Sequence, residues 1–181
     1  STQHWTLFPY TTLFRSQSFF ENSTMKAEGE PSSAEKNLLE GLGAQVPPEA
    51  LGPAYLPPKT DGSGNIRSQL EEAGKLLDQA GWTMKGGKRV NAKGEQMKLE
   101  ILNFEPAFER VTAPFVKNLQ LLGIDASMRM VDPAQYQRRL KTFDFDITTE
   151  RYTMRNTPGV ELRSYFGSDA AKMDGSLNLA G

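Results

Sequence analysis

The residues best able to do chemistry gather in the second half of the chain. Asp144 and Asp146 lie two apart in the run Phe143-Asp144-Phe145-Asp146-Ile147, where apolar and acidic residues alternate. Such alternation predicts a strand with both carboxylates on one face. Paired carboxylates can exchange protons, or hold a hard cation if Glu105 adds a further oxygen ligand. The alternation alone also predicts a plain solvated face, and this is the stronger account. A few residues later, Arg151-Tyr152-Thr153-Met154-Arg155-Asn156 brings together two guanidiniums, an aromatic ring, a thioether and two hydrogen-bonding side chains. That mixture suits a ligand with both charge and apolar surface. It reads equally as a surface loop whose arginines pair with Glu105, Glu109 and Glu161.

Several chemistries are excluded at once. The 181 residues contain no cysteine, so thiolate metal sites, disulfides and cysteine nucleophiles are absent. The single histidine is His4, remote from the acidic and basic clusters, which leaves no imidazole base for a Ser-His-Asp arrangement. Neither GxxxxGK[ST] nor GxGxxG occurs, and no cofactor is expected. Lys85-Gly86-Gly87-Lys88 predicts a hairpin turn rather than a phosphate cradle, because no helix N-terminus follows it. Arg151 with Tyr152 and Arg155, or Arg129 with Arg138, Arg139 and Lys141, would make a stacking and phosphate-binding platform. A net charge of −1 supplies no global field to attract nucleic acid, which is not expected as a partner. No apolar run approaches the ~18 residues of a membrane-spanning helix.

The elements that must position these side chains are legible from periodicity and punctuation. Ser32 followed by Glu35 is a capping box opening a helix with Leu38, Leu39 and Leu42 on one face, ended by Gly43. Six prolines between Glu30 and Lys59 predict an irregular, extended segment over 44–64. Ile66, Leu70, Ala73, Leu77 and Ala80 recur at helical spacing until Gly81. A small hairpin follows around Gly86-Gly87, then a turn at Asn91 to Gly94. Strand Leu99–Leu102, helix Phe108–Leu122, strand Ile124–Met130, helix Asp132–Leu140 and strand Phe143–Thr148 come next. Pro114 predicts a kink in the first of those two helices, or a later start.

The order β-α-β-α-β with short connections marks an α/β fold with a parallel sheet. Ligands of such sheets bind beyond the carboxyl ends of the strands. The rule draws together Asn103, Phe104 and Glu105 after the first strand, Val131-Asp132-Pro133 after the second, and Arg151, Tyr152, Met154 and Arg155 after the third. The candidate ligand-binding residues are therefore Asn103, Phe104, Glu105, Arg151, Tyr152, Met154 and Arg155.

Several stretches resemble the extracellular solute-binding proteins of peptide ABC importers, family 5. They are Gln17-Ser18-Phe19-Phe20-Glu21-Asn22-Ser23, Phe108-Glu109-Arg110-Val111, Leu122-Gly123-Ile124-Asp125-Ala126, Val131-Asp132-Pro133-Ala134-Gln135-Tyr136-Gln137 and Phe143-Asp144-Phe145-Asp146. The subgroup is the one linked to uptake of peptides and microcin C-like compounds. The resemblance implies a fragment of a two-lobed type II periplasmic binding protein, with 17–64 a Pro-rich segment carrying a short helix and 65–181 an incomplete part of the C-terminal ligand-binding lobe. It implies recognition rather than catalysis, with a peptide ligand, a membrane permease as partner, a periplasmic location and a monomeric state. The lack of a visible signal peptide then follows from truncation. Many relatives place an Asp in the loop after the position of Ile147, where it meets the ligand's amino group. Here the loop reads Glu150 to Asn156 without Asp, so that role is not carried over, and the arginines point instead to a carboxylate or phosphate. Upstream, Thr6 to Ser16 reads TLFPYTTLFRS, which matches the translation of a DNA-sequencing adapter, so residues 1–16 are expected to be foreign to the fold. The alternative to a binding protein is a small metal-dependent α/β enzyme using Asp144, Asp146 and Glu105.

Overall fold

The computed structural model describes residues 20–21, 23–58, 61, 63–153, 155, 157 and 159–179. Thr6–Ser16 and His4 lie outside them, as does Met154.

Helix α1 (Ser33–Gly41) begins as its sequence dictates. The Ser32 hydroxyl accepts from the Glu35 N–H at 3.3 Å, and the Glu35 carboxylate accepts from the Ser32 N–H at 2.7 Å. The stretch expected to be irregular contains two short 3-10 turns, Gly43–Gln45 and Pro48–Leu51. Pro48 sits at the first turn position, where its fixed φ fits and its missing N–H costs nothing. Helix α2 (Arg67–Gln79) leads through Gly81 into the hairpin of β1 (Thr83–Lys85) and β2 (Lys88–Val90). Gly86 and Gly87, at φ of 57° and 78°, give the doubly left-handed turn that a two-residue hairpin loop requires.

Next come β3 (Lys98–Asn103), α3 (Glu109–Leu121), β4 (Asp125–Met130), α4 (Pro133–Lys141) and β5 (Ile147–Thr148). The three strands form a parallel sheet in the order β4-β3-β5, with Ile101 opposite both Met128 and Ile147. Leu102, in the central strand, packs with Tyr136 and Leu140 of α4, and Phe104, Val131, Phe145 and Leu179 close around them. A short helix, α5 (Glu161–Phe166), follows.

Two expectations are revised. Of the two alternatives at Pro114, the start delayed to the proline is ruled out, since α3 begins at Glu109 and runs through Pro114. Pro114 and Arg110 are both exposed, so water can reach the Arg110 carbonyl that the proline leaves without an N–H donor. The strand expected over Phe143–Thr148 shrinks to Ile147–Thr148. Its first residues instead end α4: Phe143 adopts φ 53°, its N–H donates to the Leu140 carbonyl at 3.2 Å, and the Asp144 N–H donates to the Arg139 carbonyl at 2.9 Å. That is a Schellman motif with phenylalanine where glycine is usual.

Asp132 caps α4 by accepting the Gln135 N–H at 2.9 Å, with Pro133 at the first helical position. This hydrogen bond is the main cause that holds the Asp132 carboxyl below its ordinary value. A carboxylate depressed by folding stabilises the fold above its unfolded pKa, and that contribution is lost as pH falls through the folded value. The melting-temperature advantage of the native chain over Asp132→Asn is therefore expected to be full above a pH of about 4 and to narrow below it. Thermal melts across acidic pH check this; an advantage independent of pH would rule it out.

Candidate functional site

Because β3, β4 and β5 are parallel, their carboxyl ends lie on one side of the sheet. At the end of β3, Asn103 is only 1% exposed. Its Oδ1 accepts from the N–H groups of Phe104 at 2.9 Å and Glu105 at 3.4 Å, which turns the chain and sets those two residues at the sheet's rim. Its Nδ2 is buried and has no partner among the described residues. The Phe104 ring lies 4.5 Å from that of Tyr136. The Tyr136 hydroxyl donates to the Thr149 carbonyl at 3.0 Å and lies 2.9 Å from the Thr148 hydroxyl. Burial is the main cause that pushes the Tyr136 phenol up, so it stays a neutral hydrogen-bonding post. Tyr136 thus ties α4 to the end of β5 and fixes where the Arg151 loop departs.

In that loop, Tyr152 packs edge-on to Tyr165 at 5.2 Å and at a tilt to Phe166 at 5.5 Å, both on α5. Burial is again the main cause that raises its phenol, followed by the charge of Glu150. Arg151 and Arg155 are exposed on either side of it. The Arg151 N–H donates to the Glu150 carboxylate at 2.9 Å. Among the described residues neither guanidinium has an ion-pair partner, and the pairings with Glu105, Glu109 or Glu161 do not form. Sequence reading missed Tyr165 and Phe166. Their adjacency after the acidic start of a short helix was visible, but nothing local linked them to Tyr152.

The structure does not bring Asp144, Asp146 and Glu105 together as a catalytic group. Asp144 pairs with Arg139 at 2.8 Å, whereas Asp146 accepts the Glu100 N–H of β3 at 2.8 Å. Asp144 belongs to the helix cap and Asp146 to the strand edge, so the shared strand face that would have paired them does not exist. Among the described residues no cluster of three or more acidic or histidine side chains is placed to hold a metal ion. An open groove of about 710 Å³ lies beside α4, lined among others by Glu100, Arg129, Val131, Arg138 and Asp144.

The model of the bacterial extracellular solute-binding proteins, family 5 Middle, matches residues 35–174. The chain belongs to this family. Members of the family bind solutes rather than transform them. The chain is 39% identical over 173 residues to the Probable peptide-binding protein YejA of Agrobacterium fabrum, covering 95% of this chain and 28% of that protein. It is 35% identical over 168 residues to the Peptidoglycan-binding protein YepA of the same organism, covering 92% of this chain and 27% of that one. The chain therefore spans little more than a quarter of the length of these relatives. In fold it resembles the periplasmic oligopeptide-binding protein of an oligopeptide ABC transporter from Thermotoga maritima, with a TM-score of 0.51 and 24% identity over 60% of this chain and 22% of that structure. The likeness places the sheet within the type II periplasmic binding protein fold.

Proposed function

We propose that the chain is the ligand-binding part of a peptide-capturing component of an ABC importer, acting in the periplasm as a monomer and delivering its ligand to a membrane permease. The observation that carries this reading is the pair Arg151 and Arg155, exposed and without ion-pair partners among the described residues, flanking a Tyr152 packed against α5. Aromatic surface beside such guanidiniums suits a peptide that ends in a carboxylate or carries a phosphate, including modified peptides such as microcin C-like compounds. Asn103 sets Phe104 and Glu105 on the adjoining part of the rim, where they would meet the ligand's main chain, and Met154 is included for the adaptable apolar character of its side-chain type. The names of the similar Agrobacterium proteins, one peptide-binding and one peptidoglycan-binding, support a ligand of this chemistry.

Calorimetric titration of a peptide library tests the proposal, using this chain and a version extended to the length of its relatives. Each charged hydrogen bond contributes about 1.5–3 kcal/mol. Removing both guanidiniums in Arg151→Ala with Arg155→Ala is therefore expected to weaken binding at least about tenfold. Amidating the peptide's C-terminus is expected to cause a similar loss in the unaltered protein. Peptide affinity unchanged by the double substitution would sink the site assignment. An affinity for amidated peptides equal to that for free acids would remove the carboxylate from it.

A further inference from the structure

Helix α5 packs against Tyr152 but has little to hold itself in place. It is six residues long with none of them buried, and helices shorter than about 12 residues are marginal without tertiary contacts. The side chains of its ion pair, Arg163 with Asp169, are 82% and 81% exposed, and pairs in that setting contribute little. A flanking segment must therefore fix it.

The residues after α5 supply the fixing bond. Gly167, next to Phe166, caps the helix, and its carbonyl accepts the Ala170 N–H at 2.9 Å and the Asn178 side-chain amide at 3.0 Å. The Ala170 bond closes a local turn, whereas the Asn178 bond reaches back across eleven residues. Asn178 is fully buried. Burying an amide is costly unless it is hydrogen-bonded, and a leucine would fill similar space without that cost. Neighbours on both sides hold Asn178 to the core. The Gly175 N–H donates to the Lys141 carbonyl at the end of α4 at 2.8 Å, and Leu179 packs against the cluster of Leu102, Tyr136 and Leu140. Contacts thus run without a break from the core through Asn178 and Gly167 to Tyr165 and Phe166, the two rings that meet Tyr152.

We propose that Asn178 is a positioning residue of the candidate peptide site: its side-chain amide anchors the end of α5 to the core, and α5 in turn sets Tyr152 in place between Arg151 and Arg155. Asn178 acts through the Gly167 carbonyl and the two α5 rings, not by touching the peptide. Its part in binding rests on the peptide-binding reading, whereas the anchor itself does not.

NMR of the whole chain with ring-labelled tyrosine tests the anchor without a ligand. The Tyr152 signals, assigned by their loss in Tyr152→Phe, are expected to lie away from those of a free tyrosine, because two rings flank it. Asn178→Leu keeps the buried volume and removes the donor. In that variant the Tyr152 signals are expected to move toward free-tyrosine values while those of Tyr136 stay in place. Tyr152 signals that do not move, or that move only together with those of Tyr136, would overturn the proposal. Should the variant fail to fold, hydrogen exchange on the unaltered protein decides the matter. The Gly167 N–H, which donates to the Arg163 carbonyl at 2.9 Å, is expected to share the protection of the Asn178 side-chain amide, since the two open together. Free exchange at Gly167 beside a protected Asn178 would overturn the anchor.

Titration of Asn178→Leu with the peptide library reads the effect on binding, which is expected to weaken at least about threefold as the Tyr152 surface is displaced. A displaced Tyr152 with unchanged peptide affinity would overturn the role of Asn178 in the site. Failure of the unaltered protein to bind any peptide would sink the peptide-binding reading instead, and the NMR signals would still decide the anchor.

Discussion

Replacing Leu102 by alanine is expected to lower the unfolding free energy by about 3 kcal/mol. Leu102 is 0% exposed near the carboxyl end of the middle strand and is the contact through which β3 meets Tyr136 and Leu140. Deleting its outer carbons removes their burial energy and leaves a cavity that the sheet cannot collapse to fill, because β3 is held in register on both sides. The loss is large against the ~5–15 kcal/mol by which native domains are stable. It also bears on the site, since the same strand carries Asn103, Phe104 and Glu105 to the rim. Urea denaturation provides the measurement: the midpoint should fall while the slope stays constant. Leu38→Ala serves as the contrast, because Leu38 is 74% exposed and its loss is expected to stay within about 0.5 kcal/mol. A Leu102 variant as stable as the Leu38 variant would show that this small cluster is not the core.

Much of the scaffold could be read from the chain because local signals agreed with the global fold. Ser32 with Glu35 and Asp132 with Pro133 announced helix starts that the structure reproduces bond for bond. The alternation in Asp125–Met130 had only one periodic interpretation, and it became the edge strand. The failure at Phe143–Thr148 has a definite cause. Alternating phenylalanine and aspartate fits the strand template, but the same residues end α4, and the chain takes its left-handed turn at Phe143 rather than at a glycine that would have betrayed it. The pairing of Asp144 with Asp146 fell with that strand.

The rim was legible in part. Parallel topology was enough to place the ends of β3 and β5 side by side. What topology alone could not reveal was orientation. Asn103 is turned into the protein as a local backbone acceptor, and Tyr152 leans on Tyr165 and Phe166, residues that sequence reading passed over. Such pairings depend on how a loop folds back on a following helix, and neither hydrophobic period nor turn chemistry encodes that distance.

Arg89 is the clearest case of a structural role hidden from the sequence, and its removal is the other large effect expected. As part of Lys88-Arg89-Val90 it looks like one more basic residue of a hairpin, yet it is 5% exposed. Its guanidinium pairs with Asp78 of α2, donates to the Trp82 carbonyl at 3.0 Å, and donates through Nε to the Leu122 carbonyl at 3.0 Å. Its own N–H donates to the Gly123 carbonyl at 2.8 Å, and an added Cβ at Gly123 would come within 2.9 Å of that nitrogen, so the approach requires glycine there. One side chain therefore joins the end of α2, the hairpin and the end of α3. Arg89→Met keeps much of the apolar stem but strands two carbonyls, and is expected to cost about 3 kcal/mol. Asp78→Asn is expected to cost less than about 1 kcal/mol, because the Asp78 side chain is 55% exposed and water can take over its part of the pair. The two denaturation curves separate the alternatives. Equal losses would mean that the ion pair itself carries the stability, whereas a large loss for Arg89→Met alone would assign it to the buried carbonyl bonds that hold the helix–hairpin unit against the sheet.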